Sequence, residues 1–326
     1  MNKDRLNVWR EISKVAPEAE LDEIQAGRDA EKSLKTLFDK KFIFSKFAIF
    51  SGKRVPYFEG KTRKRYETDL ILLSHKQLSV IEVKNWSGEL NDLGNTWKQT
   101  RRSGQTLYHE NFKKKNADKL DKVIAYLEKQ NCRIPNIKLS KIVFFNPRLK
   151  VDKNISTDAN IITFNKLEKF ISQQKSSNVA ERLIQSVLEF CIDQENSGII
   201  SDGLFNAISN EDFQRCVDNI STLRNFDLIE LHGGRMIAGD AYSLKISDRK
   251  TDISNLESGK KIEVICVRNK LISLAVAMLG KGDQIRLGAP YENWKVAPSD
   301  GVIFHEAGET KAKLVPFKNI VSIIKG

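Results

Sequence analysis

The chain has 326 residues, enough for about two domains, and 40% of them are hydrophobic, which is ordinary for a globular protein and argues against disorder. Its longest uncharged apolar run, 271–279, is about half of what a membrane-spanning helix requires, and the N-terminus lacks the apolar core of a signal peptide. These features predict a cytoplasmic protein that does not enter a membrane.

The four cysteines and four histidines are scattered along the chain, without CxxC or HExxH spacing. Those spacings are what a zinc ribbon or a zinc hydrolase requires. The sequence therefore predicts neither a disulfide framework nor a zinc enzyme.

The net charge of +12 is carried by the first half of the chain. Residues 1–175 contain 36 Lys and Arg against 22 Asp and Glu, whereas residues 176–326 contain 18 against 20. A basic domain joined to a nearly neutral one suggests that the first meets a polyanion, because neutralising phosphates releases condensed counterions. A basic surface that serves only solubility would give the same charge, so charge alone leaves both interpretations open.

The first half has the periodicities of a mixed α/β domain, for which we predict the boundaries 1–175. Its predicted elements are an amphipathic helix over 26–41, a strand over 42–50, a basic loop over 51–66, strands over 67–74 and 78–85, a helix over 117–130, strands over 141–146 and 160–165, and a helix over 166–174. Only three residues separate the strands over 67–74 and 78–85, so we expect them to pair as an antiparallel hairpin.

Beyond a Ser-rich linker at 172–178, three predicted helices and a hairpin are the parts of a winged helix over 179–250. Its third helix is near neutral, so we expect a protein contact or weak targeting rather than tight DNA binding. Short strands with Gly turns over 256–326 predict a small β-barrel or sandwich, which would bind a partner, a ligand or another copy of the chain.

In "ETDLILLSHKQLSVIEVKN", residues 67–85, three charged residues stand where apolar ones would be expected, and these are Asp69, Glu82 and Lys84. Because side chains alternate along a strand, Glu82 and Lys84 point to the same face. If Asp69 pairs with Glu82, two carboxylates and an ammonium group converge at one place. Charges in an apolar setting are costly without compensation, and a divalent cation would supply it.

Mg²⁺ or Mn²⁺ suits such a site, because Mg²⁺ prefers oxygen ligands and retains several waters. Asp69 and Glu82 would bind the metal, Lys84 would position water or neutralise developing charge, and Glu31 from the first helix would hold a metal-bound water or a second metal. Charged residues on a solvated strand face would give the same spacing. The apolar character of both flanking strands favours a functional site.

At these residues the sequence resembles the nuclease-related domain, NERD, of the PD-(D/E)xK nuclease superfamily, over about residues 24–175. "AGRDAEKSL" resembles its opening helix, "ETDLILL" its metal-binding strand, and "SVIEVKNWSGEL" its E-x-K strand. The resemblance implies a restriction-endonuclease-like core and Mg²⁺-dependent phosphodiester cleavage. It implies Asp69 and Glu82 as metal ligands, Lys84 as the catalytic lysine and Glu31 as the helical acid.

The chain departs from the family in the helix after Trp97, where "HENFKKKNADKL" lacks the usual N-P-x-x-Q signal. A lengthened basic loop also precedes Asp69. Both departures concern contacts with the substrate more than the metal site.

Basic residues flank the hairpin on both sides and would hold the phosphates of a nucleic acid. A solvated helix face and loop is the alternative for the second group. The predicted contacts are Lys61, Arg63, Lys64, Arg65, Arg101, Arg102, Lys113 and Lys114. Trp86 and Trp97 would either stack on a base or fill the core.

The sequence thus predicts a divalent-metal-dependent nuclease that acts on nucleic acid, with DNA favoured, in defence against foreign DNA or in repair. The alternative is a non-catalytic nucleic-acid-binding or regulatory protein that retains the fold.

Overall fold

A computed structural model divides the chain into two compact units. We call Glu23–Arg224 the central unit, and Met1–Asp22 together with Asn225–Gly326 the composite unit. The structure describes residues 3–42, 47–59, 62–174, 179–191, 200, 204–266, 268–269, 272, 274–275, 278, 285–291, 294, 296–307, 309 and 311–326. Within these ranges, no helix has both the length and the apolar character needed to cross a membrane.

The central unit is built around a five-stranded mixed sheet. Its strands, in spatial order, are β1 (Phe47–Glu59), β2 (Thr62–Ser74), β3 (Gln77–Lys84), β7 (Ile137–Phe144) and β9 (Ile161–Thr163). The first three form an antiparallel meander, whereas β7 runs parallel to β3 and β9 runs parallel to β7. The predicted hairpin therefore lies in the middle of the sheet, and the predicted α/β class is confirmed.

Helices cover both faces of this sheet, because its middle strands are apolar on both sides. The helices of the unit are α2 (Asp22–Lys41), α3 (Phe112–Lys129), α4 (Lys153–Thr157), α5 (Phe164–Ser172), α6 (Val179–Cys191) and α7 (Asn210–Ser221). Leu70 and Leu72 of β2 pack in one core with α2 and α5, whereas Ile71 and Leu73 pack in another with α3 and α7. Because successive side chains of β2 point to opposite faces of the sheet, this strand contributes to both cores.

A second sheet of four short strands follows β3. Its spatial order is β6 (Thr106–Glu110), β5 (Thr96–Thr100), β4 (Gly88–Asp92) and β8 (Leu149–Val151). Leu90 and Trp97 of this sheet share a buried core with Phe144 of β7. The sequence did not predict this sheet, because strands of three to five residues show little clear alternation.

The composite unit contains an eight-stranded antiparallel sheet and the helix α1 (Lys3–Ser13). Its strands are β10 (Asp227–Leu231), β11 (Met236–Ile246), β12 (Arg249–Asp252), β13 (Lys261–Cys266), β14 (Ile285–Leu287), β15 (Gly301–Glu306), β16 (Lys313–Pro316) and β17 (Ile320–Ile324). Ile12 of α1 is buried in the core of this sheet, which explains why the first residues of the chain belong to it.

The bounds of the two units differ from the predicted domain boundaries. α7 belongs to the central unit, whereas the hairpin of β10 and β11 belongs to the composite unit, so the segment predicted as a winged helix is divided. The physical reason is where each part buries its apolar face. Phe213 and Ile220 of α7 share a core with Ile71, whereas β11 pairs with β15. The middle predicted helix, 201–208, lies partly outside the described residues.

The prediction of a basic loop over 51–66 is wrong, because this segment forms the distal part of the β1–β2 hairpin. The same register runs from Phe47 opposite Ser74 to Glu59 opposite Thr62. Pro56 suggested a turn, but β1 is an edge strand, where a missing N–H donor is tolerated.

Gly88 gives a test of how the end of β3 is joined to the second sheet. Its φ is +91°, and a Cβ would lie 2.1 Å from the carbonyl oxygen of Thr100. Gly94 has φ +87° but open space around it. Backbone strain alone should make Gly94→Ala cost about 1 kcal/mol of unfolding free energy, and Gly88→Ala about 2 kcal/mol more. Urea unfolding measures both, and equal losses would contradict the close approach.

Candidate metal and nucleic-acid site

Asp69 and Glu82 lie where the pairing of two neighbouring strands ends. The last pair in the register of β2 and β3 is Leu70 with Ile81, and one further step of the same register would set Asp69 against Glu82. Directly opposed side chains share one face of a sheet. Asp69 Oδ2 also accepts a 2.7 Å hydrogen bond from the backbone N–H of Val83, which fixes this carboxylate beside β3.

Glu82 is held between two lysines. Lys84 Nζ donates to one carboxylate oxygen at 2.6 Å, and Lys119 Nζ of α3 donates to the other at 2.6 Å. The Glu82 side chain is 8% exposed. Burial alone would raise its pKa, but the charges of Lys119 and Lys84 and their hydrogen bonds outweigh burial and hold the pKa of Glu82 below its ordinary value. Glu82 is therefore an ionised carboxylate with a fixed orientation.

Lys119 carries its charge into the protein interior, where its side chain is 9% exposed. Burial would lower its pKa, but attraction by Glu82 and then by Asp69 raises the pKa of Lys119 above its ordinary value. Lys119 thus remains an ammonium group that neutralises part of the buried negative charge.

Acidic side chains outnumber lysines at this place. Burial, then repulsion by Asp69, raises the pKa of Glu31 to about 7. The pKa of Glu67, an exposed residue of β2, is raised as well. Burial, then repulsion by Glu82, raises the pKa of Asp69 to about 6. Glu31, on α2, is therefore close enough to Asp69 for their charges to interact. Glu67, which the sequence did not single out, adds a further acidic group.

Aromatic side chains pack around the end of β3. The Lys84 ammonium group lies 4.5 Å from the centroid of the Phe112 ring, and Trp86 stacks on His109 at 4.0 Å. Trp97 is completely buried. Trp97 therefore fills the core and does not stack on a base.

The second group of predicted nucleic-acid contacts includes two residues that bind acidic side chains. Arg101 donates two hydrogen bonds to Glu23, at 2.6 and 2.9 Å, and Lys113 Nζ lies 3.0 Å from Asp158 Oδ2. A phosphate would have to compete with these carboxylates. Arg102 and Lys114 are exposed.

The first group of predicted contacts lies on β2 rather than on a loop. Lys64 and Arg65 are exposed, opposite Tyr57 and Pro56 of β1. Arg63 belongs to the same strand, but its side chain lies outside the part of the chain that the structure describes, as does the whole of Lys61.

Sequence reasoning missed Lys119. The buried stripe of α3 contains Leu120, Val123 and Leu127, and it also contains Asn116 and Lys119. A lysine at a stripe position of an amphipathic helix was the signal, because buried lysines require a partner.

The oxygen donors of the site suit a hard divalent cation. Mg²⁺ is often bound through one or two carboxylates and completes its shell with waters and substrate phosphates. Asp69 and Glu82 supply two carboxylates, and a cation would favour the ionised form of Asp69 and Glu31, whose pKa values are raised in its absence. The described residues contain no group of three or more His, Cys, Asp or Glu arranged to hold a metal ion. The donor set thus fits a cation that takes its other ligands from water or substrate.

The family model of the nuclease-related domain, NERD, matches residues 25–146. The match begins in α2 and ends just after β7, so it includes Glu31, Asp69, Glu82 and Lys84. No family model matches the C-terminal half. Neither the curated proteins nor the solved structures contain a match to the chain.

The raised pKa of Glu31 gives the stability of the cation-free protein a pH dependence. Its value of about 7 when folded lies above the ordinary 4.5, so the folded state binds more protons between these values than the unfolded state. The free energy of unfolding must then fall as the pH rises through this window. Glu31→Gln should flatten that fall and raise stability at pH 8 by on the order of 1 kcal/mol, measured by urea unfolding in EDTA. Glu128→Gln, at an exposed position of α3, should leave the dependence unchanged.

Lys119→Met tests the buried ion pair, because methionine retains most of the side chain but not the charge. Removing the only partner of a buried charge costs about 3–5 kcal/mol. Lys84 remains here, so we expect a loss of about 2 kcal/mol, which should shrink when Glu82→Gln is also present. Lys114→Met, at an exposed position of the same helix, should change stability by less than about 0.5 kcal/mol. Equal effects of the two lysine variants would refute the pair.

Proposed function

We propose that the chain is a divalent-metal-dependent nuclease that hydrolyses phosphodiester bonds of nucleic acid in the cytoplasm, with DNA favoured, in defence or in repair. The observation that carries this proposal is the convergence of Asp69, Glu82 and Lys84 on β2 and β3, within the match to the nuclease-related domain. The C-terminal half of the chain would serve targeting, a protein partner or self-association.

Asp69 and Glu82 would hold Mg²⁺ or Mn²⁺ through their oxygens, and Glu31 would add an acidic group from α2. When bound, the cation would stabilise charge on the phosphate oxygens and make a water molecule a better nucleophile. The backbone N–H of Val83 holds Asp69 beside β3, and Lys84 and Lys119 orient Glu82, so these carboxylates would be preorganised as metal ligands.

The two lysines would have different roles. The Lys84 side chain is 20% exposed, whereas that of Lys119 is 9% exposed. Lys84 can therefore donate a hydrogen bond to a phosphate that approaches from solvent and neutralise its developing charge. Lys119 would remain on the inner side and keep Glu82 oriented.

A specific observation also favours the second candidate, a non-catalytic nucleic-acid-binding or regulatory protein. Both oxygens of Glu82 already accept hydrogen bonds from ammonium groups. A cation would have to share one of these oxygens with a lysine. A protein that had lost the cation could retain the fold through these two lysines alone.

Cleavage of DNA and RNA substrates with Mg²⁺ or Mn²⁺ distinguishes the two functions. Asp69→Asn, Glu82→Gln and Lys84→Met should each lower the cleavage rate at least about 100-fold, because each removes a group that stabilises the transition state. Circular dichroism should show that the variants remain folded, and Glu128→Gln should cleave normally. Undiminished cleavage in all three variants would refute the proposed site. Salt-sensitive binding by the wild type without cleavage would favour the second candidate.

A further inference from the structure

A cavity with a cluster of arginines lies on the central unit, apart from the carboxylate site. The cavity, of about 370 Å³, is lined by eight residues, among them Arg54, Arg65, Tyr126, Gln130, Thr222 and Arg224. Three of the eight are arginines, and no carboxylate is found among the described residues that line the cavity. A concave surface with clustered guanidinium groups selects for anions, and above all for phosphate.

Separate chain segments bring the arginines together. Arg54 belongs to β1 and Arg65 to β2, and the register sets Arg54 opposite Glu67, two residues from Arg65. The two arginines are thus diagonal neighbours across the strand pair. Arg224 follows α7, and its carbonyl oxygen accepts a 3.1 Å hydrogen bond from the backbone N–H of Arg54.

Further hydrogen bonds hold the walls of the cavity in place. Lys53 Nζ donates to the carbonyl oxygens of Leu223 at 2.7 Å and Ser221 at 3.2 Å, at the C-terminal end of α7. The Tyr126 hydroxyl of α3 donates to the carbonyl oxygen of Asn219 at 3.2 Å. β1, α3 and α7 are therefore tied together around the cavity, so a ligand would require little reorganisation.

The cavity is connected to the carboxylate site through β2. Arg65 precedes Asp69 by four residues, which correspond to about 13 Å along a strand. That length corresponds to about four nucleotides of a B-form strand. Between them lies Glu67, on which the charge of Arg54 acts. A nucleic-acid strand that runs along β2 would have the length to span both places.

We propose that the arginine cavity binds a backbone phosphate of a nucleic-acid strand that also reaches Asp69 and Glu82. This assignment rests on the proposed function and names a second contact with its substrate. Guanidinium groups bind phosphate through two parallel hydrogen bonds, and such contacts fix the position of the strand without reading its sequence. Arg224 and Thr222 lie beyond residue 146, so part of this site is outside the nuclease-related match.

The test is the affinity of the full chain for single-stranded and duplex oligonucleotides, measured in EDTA so that metal-dependent cleavage does not interfere. Arg65→Ala and Arg224→Ala should each bind about tenfold more weakly, and the slope of log affinity against log salt should become shallower by about one. Arg224→Lys, which retains charge but not the bidentate geometry, should lie between Arg224→Ala and the wild type. Arg249→Ala removes the same charge from an exposed position of β12 and should bind normally.

Affinities and salt slopes that equal those of the wild type in Arg65→Ala and Arg224→Ala would overturn the proposal. Titration with inorganic phosphate distinguishes the source of the ligand. If the wild type bound inorganic phosphate through Arg224 but bound no oligonucleotide, the cavity would be a site for a small phosphate compound. That result would refute the binding of a nucleic-acid strand there. Arginine-dependent oligonucleotide binding without any metal-dependent cleavage would support the cavity while refuting the nuclease.

Discussion

The ion pairs of Glu82 with Lys84 and Lys119 are the contacts on which the rest of the site depends. β3 lies between β2 and β7 with helices over both faces, where an uncompensated carboxylate would be strongly destabilising. The two ammonium groups allow Glu82 to remain ionised there. Because β3 is paired on both sides, its register then fixes where Asp69 lies. A slip of one residue would move Asp69 to the opposite face and separate the carboxylates.

The same place contains more acidic side chains than lysines. Burial, and after it repulsion between carboxylates, raises the pKa of Glu31 and Asp69, so ionising them costs stability. A fold alone has no need of this arrangement, because apolar residues at those positions would pack without repulsion. Such perturbed carboxyl groups are concentrated at functional sites, which supports a site that gains stability when a cation binds.

How far the site could be predicted depended on the distance along the chain between its parts. Asp69, Glu82 and Lys84 were accessible to sequence reasoning because a short turn joins β2 to β3, so alternation and length nearly determine which side chains meet. Lys119 was not accessible, since its contact with Glu82 depends on how α3 packs across the sheet. The β1–β2 hairpin was mistaken for a loop because Gly52 and Pro56 resemble turn residues, whereas pairing with β2 outweighs that local preference.

The boundary of the central unit also differs from the boundary that the composition suggested. The composition suggested a basic catalytic half that ends near residue 175 and a neutral half that controls it. Yet α7 belongs to the central unit, because Phe213 and Ile220 bury their side chains in the core that contains Ile71. The end of α7 then carries Arg224 to the arginine cavity beside β1. The carboxylates and the arginines are thus carried by one compact unit. A strand bound across both would be positioned by the same sheet that carries Asp69 and Glu82.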